Sequence, residues 1–180
     1  MSERRGGLDM AAINHADDAE AAAMVLPFVE RAPQLAARIA ARRPFAEPMA
    51  LIEAMRSEIH ALEEDELIAF FRGHPELAPA EPAAMTPASQ DEQARLDLTS
   101  LPAAERKKLA ALNRRYAEKF GFPFITALHA HASLASVLAS FGRRLQASRE
   151  AEIASARDEI VAVSRARILS AFGVAEAASP

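Results

Sequence analysis

Apolar residues recur along this chain at helical spacing, and no stretch alternates at period two for long enough to make a strand. The pattern predicts helices over roughly 20–30, 33–43, 49–60 and 62–71. A short helix should start near Ser89, followed by helices near 102–120, 123–145 and 149–172. Pro33 and Pro48 suit first helical turns. Gly73 ends a helix that His74-Pro75 cannot continue, and Gly121 reads as a glycine just past a helix end. Between them, residues 75–88 hold Pro75, Pro79, Pro82 and Pro87, an irregular loop of the length that often carries function. Residues 1–20 are polar and poor in bulky apolar side chains, so a flexible segment is expected there, with another at 175–180. The expectation is an all-α fold: one domain over 21–174, a bundle of seven or eight helices.

Composition strengthens the helical reading. The chain has 180 residues, enough to bury a core without metal or disulfide staples. Its 51% hydrophobic content overstates its greasiness, because Ala supplies 43 of those residues and aromatics are only 6%. Ala is the best helix former. With no Cys, thiolate nucleophiles, disulfides and Cys-based zinc sites are excluded. The net charge of −4 argues against a nucleic-acid partner, despite the Arg114-Arg115 and Arg143-Arg144 pairs. No apolar run approaches a membrane span, and neither end reads as a secretion or peroxisomal signal, so a cytoplasmic location is expected.

Four groups of residues are candidates for chemistry. His74 stands after a helix end at the mouth of the proline-rich loop. That place suits a proton-transfer group, or equally a solvated His complementing the helix dipole. Ser89-Gln90-Asp91-Glu92-Gln93 has the spacing of a capping box; the other reading turns Glu92 and Gln93 toward a pocket. Phe120-Gly121-Phe122-Pro123-Phe124-Ile125 reads as a helix stop, a proline restart and core aromatics. A helix amino terminus after Pro123 would offer N–H groups to an anion. Arg165 and Arg167 flank the apolar face of the last helix, where Arg167 falls in line with Ile153, Ile160 and Val163. The bland reading is a snorkelling side chain or a salt bridge to Asp158 or Glu159; the functional one is a guanidinium clamp on a carboxylate or planar oxygen pair. His129 and His131 are two apart and leave a helix on different faces, so no metal site is expected. The sequence has no P-loop, GxGxxG, HExxH or serine elbow.

In order, these pieces resemble the 2-oxo-4-hydroxy-4-carboxy-5-ureidoimidazoline (OHCU) decarboxylase family. The likeness runs from about Phe28 to Phe172. It takes in Arg42-Arg43-Pro44-Phe45, His74-Pro75-x-Leu77, Ser89-x-x-Glu92-Gln93, Leu112-Asn113-x-x-Tyr116, Phe120-Gly121-Phe122-Pro123-Phe124, and Glu159-Ile160 through Arg167-Ile168. Each motif alone is weak, and their order and spacing give the likeness its specificity.

The resemblance implies a cofactor-independent, all-α carboxy-lyase of urate degradation, usually a homodimer, forming (S)-allantoin. By the same resemblance, His74 is the acid/base beside the ring hydroxyl and Pro75 part of the pocket wall. Glu92 is the second polar group on the ring, with Ser89 and Gln93 assisting. Arg167 holds a substrate oxygen, and the backbone near Phe124 and Ile125 meets the ureido or ring-amide edge. The chain departs from the family pattern at Ala78-Pro79 and Leu96-Asp97-Leu98. Those departures define the alternative: a catalytically silent or substrate-shifted paralogue serving as a helical interaction module.

Overall fold

The computed structural model describes residues 8–175. Among them are nine α-helices, three short 3-10 turns and no strand. The fold is all-α, as expected, with one helix more than the upper count read from the sequence. The chain forms two compact units. One takes the residues up to Leu62 together with those from Val161 onward; the other is Glu63–Ile160.

The first unit contains α1 (Met10–His15), α2 (Asp18–Val25), α3 (Pro33–Ala40) and α4 (Pro48–His60), with the end of α9 (Arg149–Ala171). Asp9 caps α1, Asp17 caps α2 through the Glu20 amide, and Pro33 and Pro48 open α3 and α4. The extra helix is α1, within the segment expected to be flexible. Its Ile13 is fully buried, and Met10 is half-buried. Asn14 meets the Phe45 backbone twice, donating to its carbonyl at 2.8 Å and accepting from its N–H at 2.9 Å. One buried side chain and one two-way amide bond pin a segment whose composition gives no sign of it. Residues 1–7 and 176–180, where the remaining terminal expectations fall, lie outside the described residues.

The second unit contains α5 (Glu64–Arg72), α6 (Pro87–Ala94), α7 (Ala103–Phe120), α8 (Leu134–Arg144) and the start of α9. A Glu63/Glu66 capping box opens α5. On α7, Leu109, Asn113, Tyr116 and Phe120 share the buried face at spacings of four, three and four. Tyr116 anchors an aromatic core. Its ring lies 4.7 Å from Phe120, 5.4 Å from Phe124 and 5.5 Å from Phe141, and Phe124 stacks on Phe141 at 4.0 Å. Such pairs add about 0.5–1.5 kcal/mol each beyond burial.

Two local expectations are corrected. The helix at Ser89 starts earlier, with Thr86 as cap and Pro87 in the first turn; Ser89 is the residue whose N–H the Thr86 hydroxyl accepts. A Thr-Pro start outcompetes a later serine because the proline ring is already set for the first turn. No helix follows Pro123. Residues 123–127 form neither helix nor strand, and α8 begins only at Leu134 under a Ser133 cap. The helix amino terminus expected at Phe124 therefore does not exist. Gly73 ends α5 with a right-handed φ of −70°, whereas Gly121 does adopt the left-handed conformation, at 83°.

Candidate functional site

The loop that follows α5 is held almost atom by atom. The Gly73 and His74 N–H groups donate to the carbonyls of Phe70 and Phe71 at 3.1 Å. His74 Nδ1 sits 3.1 Å from the Phe70 carbonyl, and its ring packs edge-on against Phe70 at 5.1 Å. A carbonyl only accepts, so Nδ1 carries the hydrogen, and in the neutral ring Nε2 carries the lone pair. Beyond half-buried Pro75, three successive residues are tied down. Gln93 donates to the Glu76 carbonyl at 2.9 Å and accepts the Ala78 N–H at 2.8 Å, and Asn113 donates to the Leu77 carbonyl at 2.8 Å. Ala78 is held at φ +48°, which an L-residue adopts only under such constraint.

Gln93 thus spends both ends of its amide on the backbone of the loop that carries His74. Ser89, one turn earlier on α6, is buried on the same face, and Glu92 is half-buried on the flank. Asn113 is 3% exposed, and its Oδ1 has no hydrogen-bond partner in the structure.

Phe124 and Ile125 lie buried on the irregular segment after Pro123. Arg144, at the end of α8, donates from Nη1 to the Ile125 carbonyl at 2.7 Å and lies 4.6 Å from the Phe124 ring centre. Glu152 of α9, with no exposed surface, takes the same guanidinium at 2.5 and 2.9 Å and accepts the Tyr116 hydroxyl. Burial and the Glu152 carboxylate push the Tyr116 phenol far above its ordinary range, against the lowering pull of Arg144. Glu159, one heptad further along α9, accepts the Ala127 N–H at 2.6 Å and the Thr126 hydroxyl at 3.3 Å. His131 bridges Thr126 and Ser136 at 3.0 Å each.

Arg167 belongs to the first unit. Its guanidinium pairs with Glu30 at 2.7 Å and reaches the Pro27 carbonyl at 3.3 Å. The salt-bridge partner expected from sequence was Asp158 or Glu159; the observed one lies 137 residues away. Glu159 is instead committed to the Thr126–Ala127 backbone. Among the described residues, no cluster of three or more His, Asp or Glu side chains forms a metal site, and no helix is long and apolar enough to cross a membrane. A cavity of about 450 Å³ is lined by Arg115, Glu118, Lys119, Leu145 and Gln146, and none of the expected site residues borders it.

Sequence reasoning assigned no role to Glu30 or Glu152, weighed Arg144 only as one of a basic pair, and gave Asn113 and Glu159 only places in motifs or salt bridges. One signal was present. Glu152 falls in phase with Ala156, Ile160 and Val163 on the buried stripe of α9, where a carboxylate needs a partner.

The family model for OHCU decarboxylase matches residues 14–169. The chain belongs to the OHCU decarboxylase family. Among relatives in that family, a 2-oxo-4-hydroxy-4-carboxy-5-ureidoimidazoline decarboxylase from Mus musculus is 33% identical over 168 residues, 92% of this chain and 94% of that protein. Two solved structures share the fold. The structure of an OHCU decarboxylase in the presence of (S)-allantoin has a TM-score of 0.68 at 20% identity, covering 82% of this chain and 96% of that one. The structure of an (S)-allantoin synthase has a TM-score of 0.67 at 23% identity; it covers 92% of this chain, which spans only 54% of its length.

Proposed function

We propose that this chain decarboxylates 2-oxo-4-hydroxy-4-carboxy-5-ureidoimidazoline to (S)-allantoin as a lyase of urate degradation. Family membership along most of the chain supports the reaction. The observation that carries the mechanism is the fixed His74: its Nδ1–H is committed to Phe70, and the loop behind it is locked by Gln93 and Asn113.

The substrate's carboxylate lies beta to a C=N bond. When CO2 leaves, the electron pair of the broken C–C bond passes into the ring, so no electron-sink cofactor is required. What remains for the protein is orientation, proton management and choice of face. In this proposal His74 is the acid/base beside the ring hydroxyl, and Pro75 lines the pocket wall. Glu92 is the second polar group on the ring. Ser89 and Gln93 support it, Gln93 through the loop that its amide holds. The backbone at Phe124 and Ile125 meets the ureido or ring-amide edge, and Arg167 holds a substrate oxygen. Residues 21–174 acting as one domain, a homodimeric assembly and a cytoplasmic location complete the proposal.

The test is circular dichroism of allantoin formed from urate through a urate oxidase and a hydroxyisourate hydrolase, with and without this protein. A fast rise of the (S)-allantoin signal is expected, and His74→Ala, with its helical spectrum intact, should lose about 10²- to 10⁴-fold in rate. A signal no faster than spontaneous racemic decay overturns the function. Full activity in His74→Ala overturns the role of His74.

A further inference from the structure

The peptide joining Leu77 to Ala78 is gripped at both edges. Asn113 of α7 donates to its carbonyl at 2.8 Å, and Gln93 of α6 accepts its N–H at 2.8 Å. The peptide is trans, so its C=O and N–H point in opposite directions, and one helix holds each end. That orientation keeps Ala78 at φ +48°, in the left-handed region where a Cβ is crowded. A half-turn of this one peptide plane would carry Ala78 to a φ of about −130°, inside the broad β region. The two amides therefore hold the strained orientation of a peptide whose reverse orientation is relaxed.

Asn113 is the less obvious half of this grip. It interrupts the buried face of α7, between Leu109 and Tyr116. Its Nδ2 serves Leu77, while its buried Oδ1 has no hydrogen-bond partner in the structure. An orphaned acceptor costs stability, so packing alone is a weak reason for an amide here. What it supplies is the direction of the Leu77 carbonyl. Between His74 and this peptide stand Pro75, whose ring fixes φ, and Glu76, whose carbonyl Gln93 also holds. A turn of the plane is therefore passed back to His74 instead of being absorbed on the way. We propose that Asn113 is a positioning residue: it latches the Leu77–Ala78 peptide in its strained orientation and so sets the backbone from which His74 works. The catalytic consequence of this inference rests on the decarboxylase reading.

The experiment compares the full-length chain with Asn113→Leu, Asn113→Ala, and Asn113→Leu combined with Ala78→Gly. Each is read by hydrogen exchange of the Ala78 amide in NMR and by kcat and KM in the coupled allantoin assay, with Tm alongside. Asn113→Leu should speed the Ala78 exchange about tenfold, the factor to which the left-handed penalty amounts, because a turned peptide takes the N–H from Gln93. Its kcat should fall about 10²-fold with KM little changed, the scale of a misplaced catalytic group. Asn113→Ala removes the same donor without overpacking and should behave alike, which covers a Leu variant that does not fold. Glycine escapes the left-handed penalty, so adding Ala78→Gly to Asn113→Leu should restore kcat about tenfold and slow the exchange again. If Asn113 only supports the fold, the added glycine lowers Tm and restores no kcat, and that result overturns the positioning role. Parental kcat and parental Ala78 exchange in Asn113→Leu and Asn113→Ala overturn the latch. A parent that does not decarboxylate overturns the functional reading, and the exchange measurement then decides the latch by itself.

Discussion

Gln93 and Ala78 are joined by a 2.8 Å hydrogen bond, in which the side-chain carbonyl of one holds the N–H of the other at φ +48°. The same amide donates to the Glu76 carbonyl at 2.9 Å. One buried side chain thus sets the course of the chain after His74-Pro75. Gln93→Ala leaves the buried Ala78 N–H without its acceptor, and is expected to cost about 2–3 kcal/mol in urea unfolding. Gln93→Glu keeps an acceptor for Ala78 but sets a buried carboxylate against the Glu76 carbonyl, and should lose both stability and allantoin-forming activity. Full activity in either variant despite its lost stability would mean that Gln93 serves the fold only.

In the first unit, Arg167 and Glu30 bury a charge pair, with side-chain exposures of 8% and 1%. Glu30→Ala takes the paired carboxylate from a buried guanidinium, and the expected loss is about 3–5 kcal/mol. The double variant Glu30→Leu with Arg167→Met removes both charges and should be more stable than either single variant. A double-mutant cycle in denaturant reads the coupling; strict additivity would show that the pair carries no interaction energy.

Glu58 makes a pH prediction. Burial raises its pKa, but hydrogen bonds from Arg42 and Arg38, with their charges, outweigh it, and the carboxyl sits below its ordinary 4.5. A lowered carboxyl contributes stability that is fully present above pH 4.5 and is lost as pH falls through the folded value. Both arginines are substantially exposed, so the contribution is about 0.5–1 kcal/mol. Glu58→Gln should be less stable than the parent near neutrality, and the gap should close on acidification below 4.5. A gap that stays constant with pH in urea titrations would rule the ion pairs out as its source.

What the sequence revealed divides along physical lines. Helix existence was legible because it depends on local propensity and spacing: α7 displays its buried face in Leu109, Asn113, Tyr116 and Phe120. The order of the motifs pointed to the family, and His74 stands where the loop reading put it, just past the end of α5. The 123–127 segment was misread because the partners of its backbone, Arg144 and Glu159, are distant in sequence; propensity cannot register a carbonyl satisfied from another helix. The start of α6 failed for a local reason, since Thr86-Pro87 outranked Ser89. Glu30 could not be matched to Arg167 by any spacing rule, because i,i+3 and i,i+4 pairing stops at one turn.

Tyr116 offers the cleanest optical test of the buried network. It is the only tyrosine, and the chain has no Trp, so the near-ultraviolet phenolate signal reports on this one residue. Burial and the hydrogen bond to Glu152 both disfavour its ionisation, and together they exceed the opposing charge of Arg144. A phenol whose folded pKa is raised contributes stability that is present below its unfolded value, about 10, and is lost as pH rises above it. In the native protein the phenolate should therefore stay absent through pH about 10 and emerge only with the loss of helical signal, as alkaline unfolding exposes the ring. In denaturant the same residue should titrate normally. Phenolate appearing at ordinary pH while the helices persist would mean that the Tyr116 hydroxyl reaches water and that Glu152 is held by Arg144 alone. Tyr116→Phe would then cost little, instead of the about 1–3 kcal/mol expected for removing a donor from a buried carboxylate.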